Sequence, residues 1–194
     1  MNKQAIIITL LALVALNAMA QTPFDPKGGC LDVVDVTFGK ALGNYDDRCI
    51  SANYIHERFI NEQFCIGLGT GYSHHKEYKF SAIPVYFSTH YFFLDKRFSP
   101  FVNLRFGGFA LFNAKNVGTN ENNSVSEDNQ IISLFISPSI GIKMHITPNI
   151  GVLASVSDEA YLVNAFDTSR IDYRSKLVHS LRINIGVCFQ IKGW

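Results

Sequence analysis

The chain has 194 residues, and its 17 Lys and Arg against 16 Asp and Glu leave a formal net charge of +1. This balance argues against a basic nucleic-acid-binding protein and against an acidic chain that needs a basic partner. The 16 Phe and 8 Tyr suit either a membrane barrel or a soluble β-sandwich, so composition leaves both open.

The first twenty residues have the features of a cleaved secretory signal peptide. Lys3 supplies a positive start, residues 5–16 are apolar apart from Thr9, and Ala18-Met19-Ala20 forms an A-x-A cleavage site. We therefore expect a signal peptide over 1–20, a short periplasmic lead-in over 21–30 and a barrel over 31–194. No apolar run of about 20 residues follows, which excludes a helical membrane span.

The mature chain holds four cysteines, and their spacing matches no zinc site. An exported protein can form disulfides, but the spacing does not choose a pair. The simplest interpretation is that they are small apolar or inward-facing side chains, and a bridge between two of them near the periplasmic rim is the alternative. They are Cys30, Cys49, Cys65 and Cys188.

Alternation of apolar with polar or small residues predicts β-strands along the whole mature chain. The pattern is clearest at the end, where every second residue from Leu181 to Ile191 is apolar. The eight predicted strands cover 32–39, 49–59, 64–73, 83–93, 101–112, 131–146, 149–160 and 181–192.

The face opposite the apolar one is rich in Gly, Ser and Asn, as the lumen of a narrow barrel requires. The apolar face then meets lipid. A few charges share the small-residue face, and we predict that they form a packed ion-pair network rather than line a pore. They are Asp35, Arg105, Lys143 and Arg182.

The predicted connections differ in length according to whether they follow an odd-numbered or an even-numbered strand. Those at 60–63, 94–99 and 147–149 are short, whereas those at 114–130 and 162–178 are long; the connections at 40–48 and 74–79 are shorter than these two. Short periplasmic turns opposite longer external loops are typical of a transmembrane barrel. The sequence therefore predicts an all-β, eight-stranded antiparallel up-and-down transmembrane β-barrel. Pro84 and Pro138 fall inside its strands, where each predicts a bulge or a lost hydrogen bond.

Three stretches resemble the small outer-membrane β-barrel proteins of Bacteroidetes, which share the architecture of the OmpA-type transmembrane domain. The likeness covers most of 31–194 and implies a fold and an outer-membrane location, but no common activity. The stretches are Ile83-Pro84-Val85-Tyr86-Phe87 with Phe92-Phe93-Leu94-Asp95-Lys96, Ser99-Pro100-Phe101-Val102-Asn103-Leu104-Arg105 with Gly107-Gly108, and Ser137-Pro138-Ser139-Ile140-Gly141-Ile142.

The last strand is similar to the signal that the barrel-assembly machinery reads. That signal has a polar residue, a glycine and two spaced hydrophobic residues, which correspond here to Asn184, Gly186, Phe189 and Ile191. Trp194 departs from the pattern because Lys192-Gly193 intervene.

Candidate chemistry is sparse. His74, His75 and Glu77 resemble a metal-binding group on the loop after the third strand, but adjacent histidines on a strand diverge. His179 with Ser180, and Ser88 with His90, are the nearest approach to a hydrolase set. We predict no catalytic, cofactor or metal site. Outward aromatics near strand ends are predicted to form interfacial girdles; they are Phe64, Tyr72, Phe93, Phe112 and Phe189.

We therefore expect a monomeric, non-enzymatic outer-membrane barrel with a structural or surface-interaction role. Its partners are outer-membrane lipid, the assembly machinery and an external ligand at loops 114–130 and 162–178, with no nucleic acid and no cofactor. Three alternatives stay open: a small porin, a lipid-A-modifying enzyme, and a soluble periplasmic β-sandwich or lipocalin-like carrier.

Overall fold

The computed structural model describes residues 29–42, 47–76, 80–94, 96–112, 132–164 and 175–191. Within these ranges, no helix is long and apolar enough to cross a membrane. The eight strands are β1 (Cys30–Ala41), β2 (Arg48–Phe59), β3 (Phe64–His75), β4 (Phe80–Phe92), β5 (Phe98–Phe112), β6 (Ile132–His145), β7 (Ile150–Asn164) and β8 (Ser175–Ile191).

Each strand pairs antiparallel with the next strand in the chain, and β1 also pairs with β8, which closes the sheet into a barrel. At this seam Cys30 lies opposite Ile191 and Ala41 opposite Ser180. The predicted all-β, eight-stranded up-and-down barrel is confirmed. The β-sandwich alternative is wrong, because two packed sheets would leave open edges and this single sheet has none.

Side chains alternate between the lumen and the outside. In β2, exposed and buried residues alternate without exception from Arg48 to Phe59. Most of the outward residues between the strand ends are large and apolar; Leu68 is 56% and Ile140 is 67% exposed. The predicted assignment of faces is therefore confirmed, with the apolar face outward and the polar and small residues inward.

The predicted interfacial aromatics lie near strand ends as far as the described side chains extend. Tyr72, Phe93 and Phe189 are exposed on the outer surface, and Phe64 is half-buried. The side chain of Phe112 lies outside the described part of the chain.

The three short connections lie at one end of the barrel, which we call the turn end. The opposite end is the loop end. Ile60 and Ile146 close two of the turns by donating backbone hydrogen bonds to Phe64 and Ile150, at 2.9 and 2.8 Å. Asn61 braces the first turn, because its Oδ1 accepts a hydrogen bond from the Phe64 amide at 2.8 Å. The predicted sorting of short turns to one end is confirmed.

Several strands extend further toward the loop end than the sequence predicts. β7 runs to Asn164 and β8 begins at Ser175, so the predicted loop 162–178 was too long at both ends. β3 runs to His75, so the prediction that His74 and His75 lie on a loop was wrong. Beyond the apolar belt both faces of a strand can be polar, so the alternation fades although the hydrogen-bonded ladder continues.

Pro84 and Pro138 interrupt the ladder without shifting it. Next to each proline, the pairing skips two residues on both strands and then resumes in the same register. The same number of residues is skipped on each strand, so no bulge forms. Of the two outcomes predicted for each proline, a bulge or a lost hydrogen bond, the loss of pairing is the one that occurs.

Candidate functional site

A salt bridge crosses the middle of the lumen from β5 to β1, which are opposite strands of the barrel. Arg105 Nη2 donates to Asp35 Oδ2 at 2.7 Å, and Asn53 Nδ2 donates to Asp35 Oδ1 at 2.7 Å. Arg105 Nε also donates to Asn103 Oδ1 at 3.2 Å. A buried carboxylate needs this kind of complete hydrogen bonding to remain charged in a protein interior.

Two further acid–base pairs lie nearer the loop end. Arg182 is ion-paired with Glu159 on the adjacent strand β7, and His75 Nδ1 lies 2.5 Å from Asp47 Oδ2. All four side chains are buried. The predicted packed ion-pair network is confirmed for Arg105 and Arg182 and includes acids that sequence analysis missed.

A third group of charged side chains lies deeper in the lumen, toward the turn end. His90 Nδ1 is 2.8 and 2.9 Å from the two carboxylate oxygens of Glu57. The two residues are 2% and 0% exposed. They belong to β4 and β2, and they meet across the strand between them, β3. The inward residue of β3 at this point is Gly67, which has no side chain to separate them. A Cβ at Gly67 would collide with the β2 backbone. Lys143 also ends at this level, its Nζ 3.7 Å from the centre of the Phe92 ring.

Apolar side chains fill the lumen around and below the Glu57–His90 pair, and we call them the turn-end plug. Phe92 is central to it, with ring-centre distances of 5.7 Å to Phe101 and 6.4 Å to Phe59. The remaining members are buried aliphatic and thiol side chains. They are Leu31, Val33, Ile55, Cys65, Leu153 and Cys188.

An aromatic group narrows the lumen at the loop end. Phe135 lies 5.8 Å from Tyr86 and 5.9 Å from Phe109 between ring centres, and Tyr161 lies 5.9 Å from Phe109. The cavity next to this group has a volume of about 30 Å³, which is room for roughly two water molecules. This cavity therefore has room for water molecules and not for a solute.

The two histidines of the candidate metal group face in opposite directions. His75 faces the lumen, whereas His74 faces outward with its Nδ1 3.3 Å from Ser81 Oγ. Glu77 lies outside the described residues. In the described ranges, no group of three or more His, Cys, Asp or Glu could hold a metal ion.

One of the two candidate serine–histidine pairs is split between the faces of the barrel, and the residues of the other are engaged elsewhere. Ser180 is buried in the lumen, whereas His179 faces outward and its Nδ1 lies 2.9 Å from Asp158 Oδ2. Ser88 and His90 do share the lumen, as expected. However, Ser88 Oγ accepts a hydrogen bond from Asn103 Nδ2 at 3.0 Å, and the His90 ring is occupied by Glu57.

Two polar groups on the outer surface were not predicted from the sequence. One is the His179–Asp158 pair near the loop end. The other lies near the turn end, where Asp32 Oδ1 accepts a hydrogen bond from the Tyr54 hydroxyl at 2.9 Å and contacts His56 Nδ1 at 2.6 Å. The signal was a polar residue at an outward position of each strand, but only the strand register shows that these positions are neighbours.

The proposed assembly-signal residues divide between the two faces. Asn184 and Gly186 face the lumen, whereas Phe189 and Ile191 face outward. Asn184 Oδ1 accepts a hydrogen bond from Thr37 Oγ1 at 2.7 Å. A Cβ on Gly186 would lie 2.8 Å from Asp35 Cβ. Both lumen residues thus have packing roles in the fold, and recognition by the assembly machinery stays a prediction.

The four cysteines are unbridged. Cys49, Cys65 and Cys188 are buried in the lumen, so the inward-facing interpretation is confirmed for these three. Cys30 is half-buried at the first position of β1.

The chain is similar in fold to solved outer-membrane barrels. Neisserial surface protein A shares 16% identity at a TM-score of 0.58, over 82% of this chain and 96% of that one. OprG from Pseudomonas aeruginosa shares 10% identity at a TM-score of 0.52, over 89% of this chain and 100% of that one. The outer membrane enzyme PagL shares 13% identity at a TM-score of 0.55, over 79% of this chain and 97% of that one.

No family model matches the chain, and no curated protein matches it. At such low identities, the structural likeness shows the fold alone. The resemblance to OmpA-type barrels is therefore confirmed as a shared architecture, and the narrower resemblance to Bacteroidetes proteins stays a prediction.

Proposed function

We propose that this chain is an outer-membrane barrel with a sealed lumen and with a structural or surface-interaction role. The observation that carries the proposal is a lumen of paired charges enclosed by an apolar outer surface. In this proposal, the N-terminal signal directs export, and the longer loops face the outside of the cell.

The outer surface supports a membrane location. Large apolar side chains cover the outward face of all eight strands, whereas soluble monomers rarely expose contiguous apolar patches larger than a few hundred Å². A lipocalin-like carrier would have the opposite polarity, with an apolar cavity inside and polar side chains outside. The lipid phase therefore explains this surface better than water does.

The packed lumen favours a non-conducting barrel over a small porin. A permeant ion would have to pass the turn-end plug, where Phe92 and Phe101 are each 2% exposed. It would also have to separate Arg105 from Asp35, and this would leave both buried charges without a partner.

The shape of the loop end supports a role in surface interaction. β5 to β8 have 14 to 17 residues, whereas β1 to β3 have 12 each. The longer strands carry the two longest predicted loops, 114–130 and 162–178. In sequence the first leans acidic and the second basic, so these loops are the proposed contact surface.

Conductance in planar bilayers tests the sealed lumen. We expect the full chain to insert and to give no steady current. The matched control is Phe92→Ala with Phe101→Ala, which opens the plug and should give measurable leakage through a barrel that still folds. Steady, large openings of the unaltered chain would contradict the sealed lumen and support the porin alternative.

External proteolysis of intact cells tests location and topology. We expect cuts confined to 114–130 and 165–174, with the strands protected. Protection in intact cells followed by ready cleavage after the envelope is opened would contradict the proposed orientation. Recovery in the soluble fraction without detergent would contradict the membrane location itself.

A lipid-modifying enzyme is the second candidate, because the His179–Asp158 pair faces outward near the loop end. In the described residues, no serine hydroxyl is hydrogen-bonded to His179, so the nucleophile of a hydrolase triad is not assembled there. We expect the same membrane lipids, by mass spectrometry, in cells with and without the protein. A lipid change that His179→Ala abolishes would establish the enzyme instead.

A further inference from the structure

Three cations occupy neighbouring positions on the outward face of β1, β2 and β3 at the loop end. Lys40 lies directly opposite Arg48 in the ladder, and the Lys76 amide donates to the Arg48 carbonyl at 2.9 Å. All three side chains are exposed and point away from the lumen. We call Lys40, Arg48 and Lys76 the cationic row.

The cationic row concentrates positive charge in a small area. Side chains that lie directly opposite each other in antiparallel strands have Cβ atoms about 5 Å apart, and like charges in such pairs are unfavourable. Lys40 and Arg48 each have an interaction within the protein. The placement of three cations side by side nevertheless suits a ligand that carries several anionic oxygens.

The position of the row relative to the apolar belt indicates which ligand it meets. The next outward residues toward the turn end are Phe38, Ile50 and His74, paired in the same order across the three strands. The cationic row thus lies at the upper edge of the lipid-facing surface, at the height of lipid headgroups. Lys and Arg at such an edge can bury their stems against the belt and extend their charges to the headgroups.

The turn end of the same three strands does not share this concentration of positive charge. At the turn end of the same three strands, the outermost paired positions are Cys30, Arg58 and Ile66, with a single cation. Asp158 lies at the level of the cationic row, across Leu181 of β8, but its carboxylate is engaged by His179. Along these three strands, the described cations therefore cluster at the loop end.

We propose that the cationic row binds the phosphate groups of membrane lipids in the leaflet at the loop end. This inference rests on the proposed membrane location, and it adds a ligand class and a site. Arg48 is central, because its guanidinium can bind two phosphate oxygens at once. The flanking Lys40 and Lys76 act as point charges on the same headgroup or on its neighbour.

The test compares the full chain with the variant Lys40→Gln/Arg48→Gln/Lys76→Gln in vesicles of phosphatidylcholine that contain a minor share of phosphatidic acid. Native mass spectrometry of the released complexes measures the ratio of bound phosphatidic acid to bound phosphatidylcholine. We expect a preference for phosphatidic acid that falls about fivefold for each charge removed. The matched control, Arg58→Gln at the turn end, should keep the preference.

A second pair of measurements separates the possible failures. Lys40→Arg with Lys76→Arg keeps the charges and should keep the preference, so its loss would overturn the role of charge. Heat-dependent mobility on gels reports whether each variant folds in the vesicles. A chain that does not insert contradicts the proposed function, whereas an inserted barrel without lipid preference overturns only this inference.

Free phosphate is distinguished from lipid by competition. Inorganic phosphate, matched in ionic strength with sodium chloride, should leave bound phosphatidic acid unchanged because the bilayer presents the headgroup at the row. Displacement by phosphate beyond the chloride control would overturn the assignment to lipid.

Discussion

The lumen and the outer surface are built from alternate residues of the same eight strands, yet they distribute charge differently. Inward charges occur at every depth of the barrel, and Glu57, Asp35 and Glu159 mark three successive levels. Outward charges lie toward the strand ends, as Lys40 and Arg58 do. The outward residues between them are almost all apolar.

This difference follows from what each surface offers a charge. In the lumen, a partner on another strand can stabilise a buried carboxylate, as Arg105 does for Asp35. At the centre of the lipid-facing belt, neither water nor a partner is within reach, so a charge there is costly. Near the ends, headgroups and water are close, and charges become tolerable again.

Breaking the central bridge has the largest expected effect. Arg105→Leu leaves the Asp35 carboxylate buried and unpaired, which should lower the free energy of unfolding by about 3–5 kcal/mol. Urea unfolding in lipid vesicles measures the loss. The double variant Arg105→Leu/Asp35→Asn should recover much of it, and a single variant as stable as the parent would contradict the role of the bridge.

A charge moved onto the outer surface should cost slightly less. Ile185→Arg places a cation near the middle of the lipid-facing belt, with an expected loss of about 2–4 kcal/mol. The matched control is Leu177→Arg on the same face of β8 but near the loop end, where about 0–1 kcal/mol is expected. Equal losses at the two positions would show that the outer surface does not face a bilayer.

A larger side chain on the lumen-facing side of β3 should have an intermediate effect on stability. A Cβ on Gly69 would overlap the Tyr86 ring, so Gly69→Val should destabilise the barrel by about 1–3 kcal/mol. Leu68→Val, on the outward face of the same strand, is the control and should change stability less. Thermal unfolding followed by gel mobility compares the two. A neutral Gly69→Val would mean that Tyr86 packs elsewhere.

The smallest expected effect concerns an exposed pair. His56 contacts Asp32 on the outer surface near the turn end, and its side chain is 56% exposed. His56→Ala should therefore cost no more than about 1 kcal/mol. His90→Ala, which leaves Glu57 buried without its partner, should cost about 3–5 kcal/mol. Similar costs in urea unfolding would remove the contrast between the two surfaces.

The alternating residues of β8 and β6 were sufficient to predict the strands, their outward faces and the inward position of Arg182 and Lys143. The strand ends were less predictable, because alternation fades at the loop end while pairing continues to Asn164 and Ser175. Glu57 and Glu159 were missed because β2 and β7 alternate weakly in sequence.

The sequence by itself determined the number of strands, the face that is apolar and the end at which the turns are short. These features depend on local alternation and on the spacing of turns. Only the tertiary structure decided which charges meet: Asp35 and Arg105 are 70 residues apart, and Lys40 and Arg48 become neighbours through strand register. Barrel closure sets these contacts, because it fixes which residues stand opposite each other across the lumen and along each ladder.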